Sequence, residues 1–278
     1  MKSATLIHQW LVPGLLLWGG LGGGLARAQA PSAIGKAQLF AVVGAGKAAQ
    51  FSVPQVRLAD EVLAERINRE IAAVVMSYAT TPVDSTASLA KQLRLAAAQP
   101  CCLAGVRFQA LLNQGSLLSL KLTLVFSGNM YYERTRYLVF DLNTGQRVLL
   151  NSLVADSPAQ LQQRLETAVS RRVGEFLADT TKRAPATLAT VAGLYHWQAD
   201  KHRVDFGPAN APNTAPPVDL NEFALAPHAL LLLYRVGVPS STLADTPDEV
   251  YRIPYARLQA VGALAELIKA AAPPAGTR

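Results

Sequence analysis

The feature that most constrains the fold is an alternation of apolar and polar residues between residues 106 and 150. Three short turn sequences interrupt it, Asn113-Gln114-Gly115, Ser127-Gly128-Asn129 and Asn143-Thr144-Gly145. Successive side chains of a strand point to opposite faces, and parallel neighbours would need crossovers of about a dozen residues. The pattern therefore predicts an antiparallel meander with one solvated face and one face covered by helix.

Two long amphipathic helices are expected, one before and one after this meander in the sequence. Apolar residues recur at helical spacing over 58–79 and again over 158–178. The second segment begins with Ser157-Pro158, which places a good N-cap before a proline at the first helical position. Each helix would bury its apolar stripe against the sheet.

The remaining segments predict shorter elements. A short helix around Leu89 and Leu93 would be capped by Asp84 or Ser85, and a last helix would begin at Pro254. Residues 180–201 show no clear pattern. Short strands are expected at Glu222–Leu225, Ala229–Val236 and Val250–Ile253, and the strand after the third turn at Arg147–Leu150.

This order of elements predicts an α+β fold, an antiparallel meander sheet packed by amphipathic helices. The expected organisation is an export signal at 1–28, a linker and first strand at 29–50, one domain at 51–271 and a disordered tail at 272–278. The domain is either a single unit or two subdomains hinged near 155–200.

The N-terminal residues predict export. Lys2 precedes an apolar run that extends to Leu25, and Ala26-Arg27-Ala28 has the small residues of a cleavage site. Glycines interrupt the run, which is shorter than the roughly 20 apolar residues of a membrane span. Cleavage after Ala28 would leave a periplasmic or secreted chain with no transmembrane segment; a retained anchor is the alternative. Removing Lys2 and Arg27 leaves 24 basic against 19 acidic residues, a charge of +5 instead of +7.

The two cysteines are adjacent, Cys101-Cys102. Neighbouring Cα atoms lie about 3.8 Å apart, closer than disulfides prefer, so a bond between them would be strained. A small apolar pair entering a strand is the favoured interpretation, and redox sensing is the alternative.

The densest group of potential metal ligands is His196, Asp200 and His202, whose even separations would place them on one face of an extended segment. Lys201 and Arg203 would bring positive charge to the same place, which disfavours a cation. We expect no metal and no cofactor.

Catalytic motifs are weak. Ser240 follows Gly237-Val238-Pro239, but the second glycine and the strand-to-helix context of a nucleophile elbow are missing. No catalytic residue is assigned. A hydrolase acting on envelope glycans through His196, Asp200 or Ser240 is the enzymatic alternative, and a structural domain with a protein partner is another.

The basic surplus is compatible with a binding surface, and an ordinary solvated sheet face is the alternative. Tyr132, Arg134 and Arg136 share one face of a strand beside the Asn129 turn, and Arg171-Arg172 lie on a helix edge. Arginine and aromatic residues are favoured at binding hot spots. Export and the lack of a dense basic run argue against nucleic acid, so the expected partner is an envelope polymer, above all an anionic one, or an extracytoplasmic protein.

The order of several short motifs resembles the RsiV-like family of extracytoplasmic domains, whose function is largely unknown. The motifs are Arg66–Ile71, Leu117–Leu122, Tyr137–Gln146, Asn221–Leu225 and Val250–Leu258. Relatives occur in a lysozyme-sensing anti-sigma factor and beside the catalytic domain of a peptidoglycan deacetylase. The resemblance covers about 50–270 and implies a non-enzymatic binding or sensing domain.

Two positions depart from the pattern of that family. Ser127–Tyr131 replaces a turn that often carries histidine, and Tyr234–Pro239 is a degraded form of a Tyr-x-Ile-x-Pro-Tyr segment. No anti-sigma segment and no deacetylase motif is present, so neither output activity is carried over. The expected function is an exported binding or sensing domain of the cell envelope.

Overall fold

The computed structural model describes residues 37–43, 50–79, 88–98, 102–127, 132–181, 183–207, 215, 218–236 and 246–271. The helices within these ranges are α1 (Glu61–Met76), α2 (Leu89–Ala97), α3 (Pro158–Ala178), α4 (Pro185–Leu194) and α5 (Gly262–Ala271). The strands are β1 (Gln38–Val43), β2 (Ser52–Arg57), β3 (Cys102–Gln114), β4 (Leu117–Ser127), β5 (Tyr132–Asp141), β6 (Gln146–Arg147), β7 (Trp197–Gln198), β8 (Arg203–Val204), β9 (Phe223–Ala226), β10 (Ala229–Leu233) and β11 (Val250–Pro254).

The predicted meander is the central sheet, in the order β3-β4-β5-β6 with antiparallel pairing throughout. Gly115 and Gly145 occupy the turns after β3 and β5 with φ of +57° and +67°, which glycine adopts at little cost. The α+β prediction is confirmed. The fourth strand is shorter than expected, because β6 ends at Arg147 and a 3₁₀ turn follows at Leu150–Ser152.

Helices cover one face of this sheet, as predicted. Alternate residues of β4, from Leu118 to Phe126, pack against Ile67, Ile71 and Val75 of α1 and against Leu93 of α2. The β1–β2 hairpin completes this layer. Strand β2 was not predicted; its Val53 and Val56 are almost completely buried in the same core.

The other face is not solvated along its whole length, which corrects the sequence-based expectation. The half of this second face that carries Leu117, Ser119 and Val139 is buried beneath the β11-β10-β9 sheet and helix α3. A bulge between Ala110 and Leu112 reverses the side-chain alternation of β3 and turns Leu112 into this second core. The two cores are therefore separated by the meander.

Of the three predicted helix starts, that of α3 is confirmed, whereas those of α2 and α5 differ from the prediction. Helix α3 does begin after Ser157, whose side chain forms a reciprocal capping box with Gln160. Helix α2, however, has Ser88 at its N-cap, in place of the predicted Asp84 or Ser85.

The last helix begins at Gly262 instead of Pro254, which ends β11. A 3₁₀ turn follows at Tyr255–Arg257. Residues 259–261 then pair with residues 153–155, since Ala155 N–H donates to the Gln259 carbonyl and Val261 N–H donates to the Leu153 carbonyl. These backbone hydrogen bonds hold residues 259–261 extended, so the helix begins only after them.

Several predictions concern residues outside the described ranges. They are the export signal at 1–28 with its cleavage site at Ala28, the side chains of Cys101 and Cys102, the Asn129 turn, Ser240 and the tail at 272–278. Among the described helices, none combines the length and apolar character needed to cross a membrane.

Candidate functional site

The predicted contact surface lies on the face of the central sheet that also packs against α1. Tyr132, Arg134 and Arg136 pair across the ladder with Phe126, Leu124 and Leu122, so their side chains share that face. The Tyr132 ring stacks on Phe126, with centroids 4.7 Å apart and planes 8° from parallel. Tyr132 is about half exposed.

The two arginines of this surface converge on Tyr78, just after α1. Arg136 donates from Nη1 to the Tyr78 hydroxyl over 2.9 Å and pairs with Glu222 over 2.8 Å. The Arg134 guanidinium lies 5.6 Å from the centroid of the Tyr78 ring. The structure thus brings the three predicted residues together, but Glu222 offsets the charge of Arg136 and ties it into the fold.

The predicted metal candidates lie around the β7–β8 hairpin. Residues 199–202 form its turn, and His196 and His202 have φ of +47° and +49°. The alternation that would have aligned His196, Asp200 and His202 requires an extended segment, and the turn removes it. No three His, Cys, Asp or Glu side chains in the described ranges form a group that could hold a metal ion.

A site that the sequence did not predict lies where α3 meets β11. It is a groove with a cavity volume of about 480 Å³. Its lining residues are Gln160, Gln163, Arg164, Thr167, Ala168, Arg171, Arg252, Ile253, Pro254 and Arg257. The helical members recur every three or four positions, so they form one face of α3. We call this cavity the arginine groove.

Four guanidinium groups and no carboxylate line the arginine groove. Arg164 is held in place by Asp156 over 2.8 Å and by a 2.7 Å hydrogen bond to the Arg257 carbonyl. The Asp156 side chain is completely buried and also accepts from Gln259 N–H. Arg164 is therefore held in a fixed position in the wall of the groove, and Asp156 partly offsets its charge.

The other three guanidinium groups are more available. Arg171 lies 3.8 Å from Glu175, and both side chains are largely exposed, so water weakens their attraction. Arg252 and Arg257 are exposed, and neither has an acidic partner within the described part of the chain. Like charges concentrated in a concave site raise the local concentration of counter-ions, so the arginine groove attracts anions.

A second cavity of about 530 Å³ adjoins the first and shares Gln163, Thr167 and Arg171 with it. Its other lining residues are Glu166, Ser170, His202, Arg203, Val204, Asp205 and Phe206. We call it the mixed pocket, because carboxylates and basic side chains both line it. The same stretch of α3, residues 163–171, thus borders a purely cationic cavity on one side and a mixed one on the other.

Arg171 and Arg172, which the sequence placed together on a helix edge, have different environments. Arg171 lines both cavities, whereas Arg172 lies over the Tyr251 ring at 4.0 Å and donates to the carbonyls of Asp248 and Val250. Arg172 therefore joins α3 to β11. The sequence contained one signal for the arginine groove, the seven-residue spacing of Arg164 and Arg171, which places them two helical turns apart on one face of α3. Arg252 and Arg257 are so far away in the sequence that no local pattern could have assigned them to the same site.

Beneath α3 lies a cluster of buried tyrosines, Tyr195, Tyr234 and Tyr251. Burial raises the pKa of all three phenols, and it raises that of Tyr251 to about 12 although Arg172 opposes the shift. Phenols with such pKa values stay protonated near neutral pH and do not act there as general bases. The cluster serves as core packing for the groove above it.

The described part of the molecule therefore has an α+β fold with a cationic groove. Comparison with solved structures finds matches at low sequence identity. A member of the DUF3298 family from Bacteroides fragilis has 12% identity, a TM-score of 0.45, and coverage of 83% of this chain and 93% of its own. A DUF3298 family protein from Pseudomonas aeruginosa has 13% identity, a TM-score of 0.49, and coverage of 80% and 90%. No family model and no curated protein matches the sequence. Similarity at this level assigns neither family nor activity.

Proposed function

We propose that this protein is an exported, non-enzymatic domain of the cell envelope that binds an anionic polymer in the arginine groove. The observation that carries the proposal is the lining of that groove, which has four arginines and no acidic residue. The N-terminal export pattern and the order of the RsiV-like motifs support the location and the non-enzymatic role.

Arginine suits carboxylate and phosphate groups in particular. Its planar guanidinium can donate two parallel hydrogen bonds to either anion, and charge-assisted bonds of this kind are roughly twice as strong as neutral ones. A neutral glycan or an apolar protein surface would leave the positive charge of several guanidinium groups without an anionic partner. A polymer bearing carboxylates or phosphates is therefore a better ligand than either.

The proposal is tested by retention of the purified protein on isolated cell wall at low and high salt. We expect retention at low salt and its loss at high salt, because screening weakens exposed charge pairs. The double variant R252A/R257A should be retained at least about tenfold more weakly, since it removes the two exposed arginines without an acidic partner.

The matched control is R69A/R94A, which removes the same charge from exposed positions on α1 and α2. Its retention should stay close to that of the unmodified protein. Absence of retention at low salt, or equal losses in the two double variants, would overturn the proposal.

The location is tested separately by N-terminal sequencing of the protein recovered outside the cytoplasm. Cleavage after Ala28 predicts Gln29 as the first residue. A chain that keeps residues 1–28 and sediments with membranes would support the anchored alternative and contradict cleavage.

A further inference from the structure

We infer that the bound polymer is an acidic polysaccharide that crosses α3, with an acidic sugar in the arginine groove and a neutral, hydroxyl-rich sugar in the mixed pocket. This inference rests on the proposed function and specifies its ligand. It depends on two observations, the adjacency of the two cavities and the difference in their charge.

The cavities are adjacent because Gln163, Thr167 and Arg171 line both of them. These three residues form a shared border along one face of the helix. A single small anion such as phosphate would fill only part of one cavity. A linear ligand of several units can contact both.

The mixed pocket distinguishes a polysaccharide from a uniformly charged polymer. Its carboxylates, on Glu166 and Asp205, can accept hydrogen bonds from sugar hydroxyls. Glu166 is steadied by Gln162, whose Nε2 donates to its Oε1 over 2.8 Å. A chain with a phosphate at every unit would place negative charge against both carboxylates, and such like-charge juxtaposition costs free energy.

The remaining lining also suits a sugar. Phe206 provides an aromatic surface, and His202 in the β7–β8 turn and Arg203 on β8 provide hydrogen-bond donors. The Ser170 hydroxyl accepts from Val204 N–H over 3.1 Å, which fixes the β7–β8 hairpin against α3. The walls of the pocket are thus held by contacts that do not need the ligand.

The test is calorimetric titration of the purified protein with glucuronate, with hyaluronan oligosaccharides of increasing length, in which glucuronate alternates with neutral N-acetylglucosamine, and with linear polyphosphate of matched charge. We expect affinity for the hyaluronan oligosaccharides to rise at least about tenfold from the monosaccharide to a chain that reaches both cavities. Polyphosphate should bind more weakly than the longer hyaluronan oligosaccharide.

Two variants assign the contributions of the cavities. The double variant E166Q/D205N should weaken binding of the long hyaluronan oligosaccharide by about tenfold, leave glucuronate binding unchanged and strengthen polyphosphate binding. The control E65Q/E70Q removes the same charge from exposed positions of α1 and should change none of these affinities selectively.

The outcomes separate the inference from the proposed function. Hyaluronan binding that needs Arg252 and Arg257 but does not depend on chain length or on the two carboxylates would overturn the inference alone, as would tighter binding of polyphosphate. Binding of a protein partner that the hyaluronan oligosaccharide does not displace would also overturn it. If no anion binds, or if R252A/R257A binds every probe normally, both fail.

Discussion

The hydroxyl of Ser119 joins the central sheet to the β11-β10-β9 sheet. Ser119 lies on β4 and is completely buried, and its Oγ accepts a 2.9 Å hydrogen bond from Leu225 N–H of β9. That N–H has no place in the β9–β10 ladder, because strand amides alternate in direction. Ser119 is therefore a buried polar residue with a specific structural role.

Replacing Ser119 with alanine should lower the free energy of unfolding by about 1–3 kcal/mol, because the Leu225 amide would remain buried without an acceptor. The measurement is denaturant unfolding followed by circular dichroism. Ser127→Ala makes the same change at an exposed position of the same strand and should have an effect within about 0.5 kcal/mol. Equal losses in the two variants would contradict this role.

At the scale of elements, the turn between β5 and β6 is shaped by the approach of α1. Gly145 has a φ of +67°, and a Cβ added there would lie 3.0 Å from the Leu63 carbonyl oxygen. Gly115, in the preceding turn, has a φ of +57° and nothing within 4 Å of an added Cβ. The two glycines therefore share backbone strain and differ in crowding.

Gly115→Ala should cost about 1–2 kcal/mol from left-handed backbone strain alone. Gly145→Ala should cost more, because the backbone of α1 must also move. Thermal and denaturant unfolding of both variants measure the difference. If the two losses are equal, the close packing of α1 on this turn contributes nothing.

Helix α3 carries the floor of the arginine groove, and its start is locally determined. The Ser157 side chain accepts from Gln160 N–H, whereas the Ser88 side chain makes no cap hydrogen bond at the start of α2. Ser157→Ala should thus lower stability by about 0.5–2 kcal/mol, and Ser88→Ala should change it little. Denaturant unfolding measures the loss of stability in each variant. A similar loss at Ser88 would show that the cap hydrogen bond of Ser157 does not account for its effect on stability.

At the scale of the whole molecule, buried tyrosines make the fold sensitive to alkali. Five of the eight tyrosines, Tyr137, Tyr195, Tyr234, Tyr251 and Tyr255, have their pKa raised above 10, with burial as the largest cause. Below pH 10 both states keep these protons, and the stabilisation is complete. As the pH rises above 10, the unfolded state loses protons that the folded state retains, so stability falls.

We therefore expect the free energy of unfolding to drop steeply between about pH 10 and 12, by up to about 1.4 kcal/mol per pH unit for each tyrosine that remains protonated in the folded state. Denaturant unfolding at several pH values, with phenolate absorbance recorded in parallel, measures both effects. Ionisation of these five tyrosines near pH 10 without loss of the folded circular dichroism spectrum would contradict the expectation.

Local patterns were sufficient for much of the fold. The meander, its glycine turns and the capped α3 were predictable because alternation, turn residues and caps act over a few neighbouring positions. Two of the predictions that failed involved distant partners. The start of α5 depends on pairing with residues 153–155, and the burial of Ser119 depends on β9.

The candidate site shows the same division. The sequence by itself determined that basic residues exceed acidic ones, and that Arg164 and Arg171 lie two turns apart on one helix. Only the tertiary structure decided that Arg252 and Arg257 join them in one groove. It also pairs Arg136 with Glu222 and places Arg172 over the Tyr251 ring, so neither of these arginines lines the groove. The physical reason is range, since helix periodicity couples residues three or four apart, whereas a groove is assembled by packing between segments about 80 to 90 residues apart.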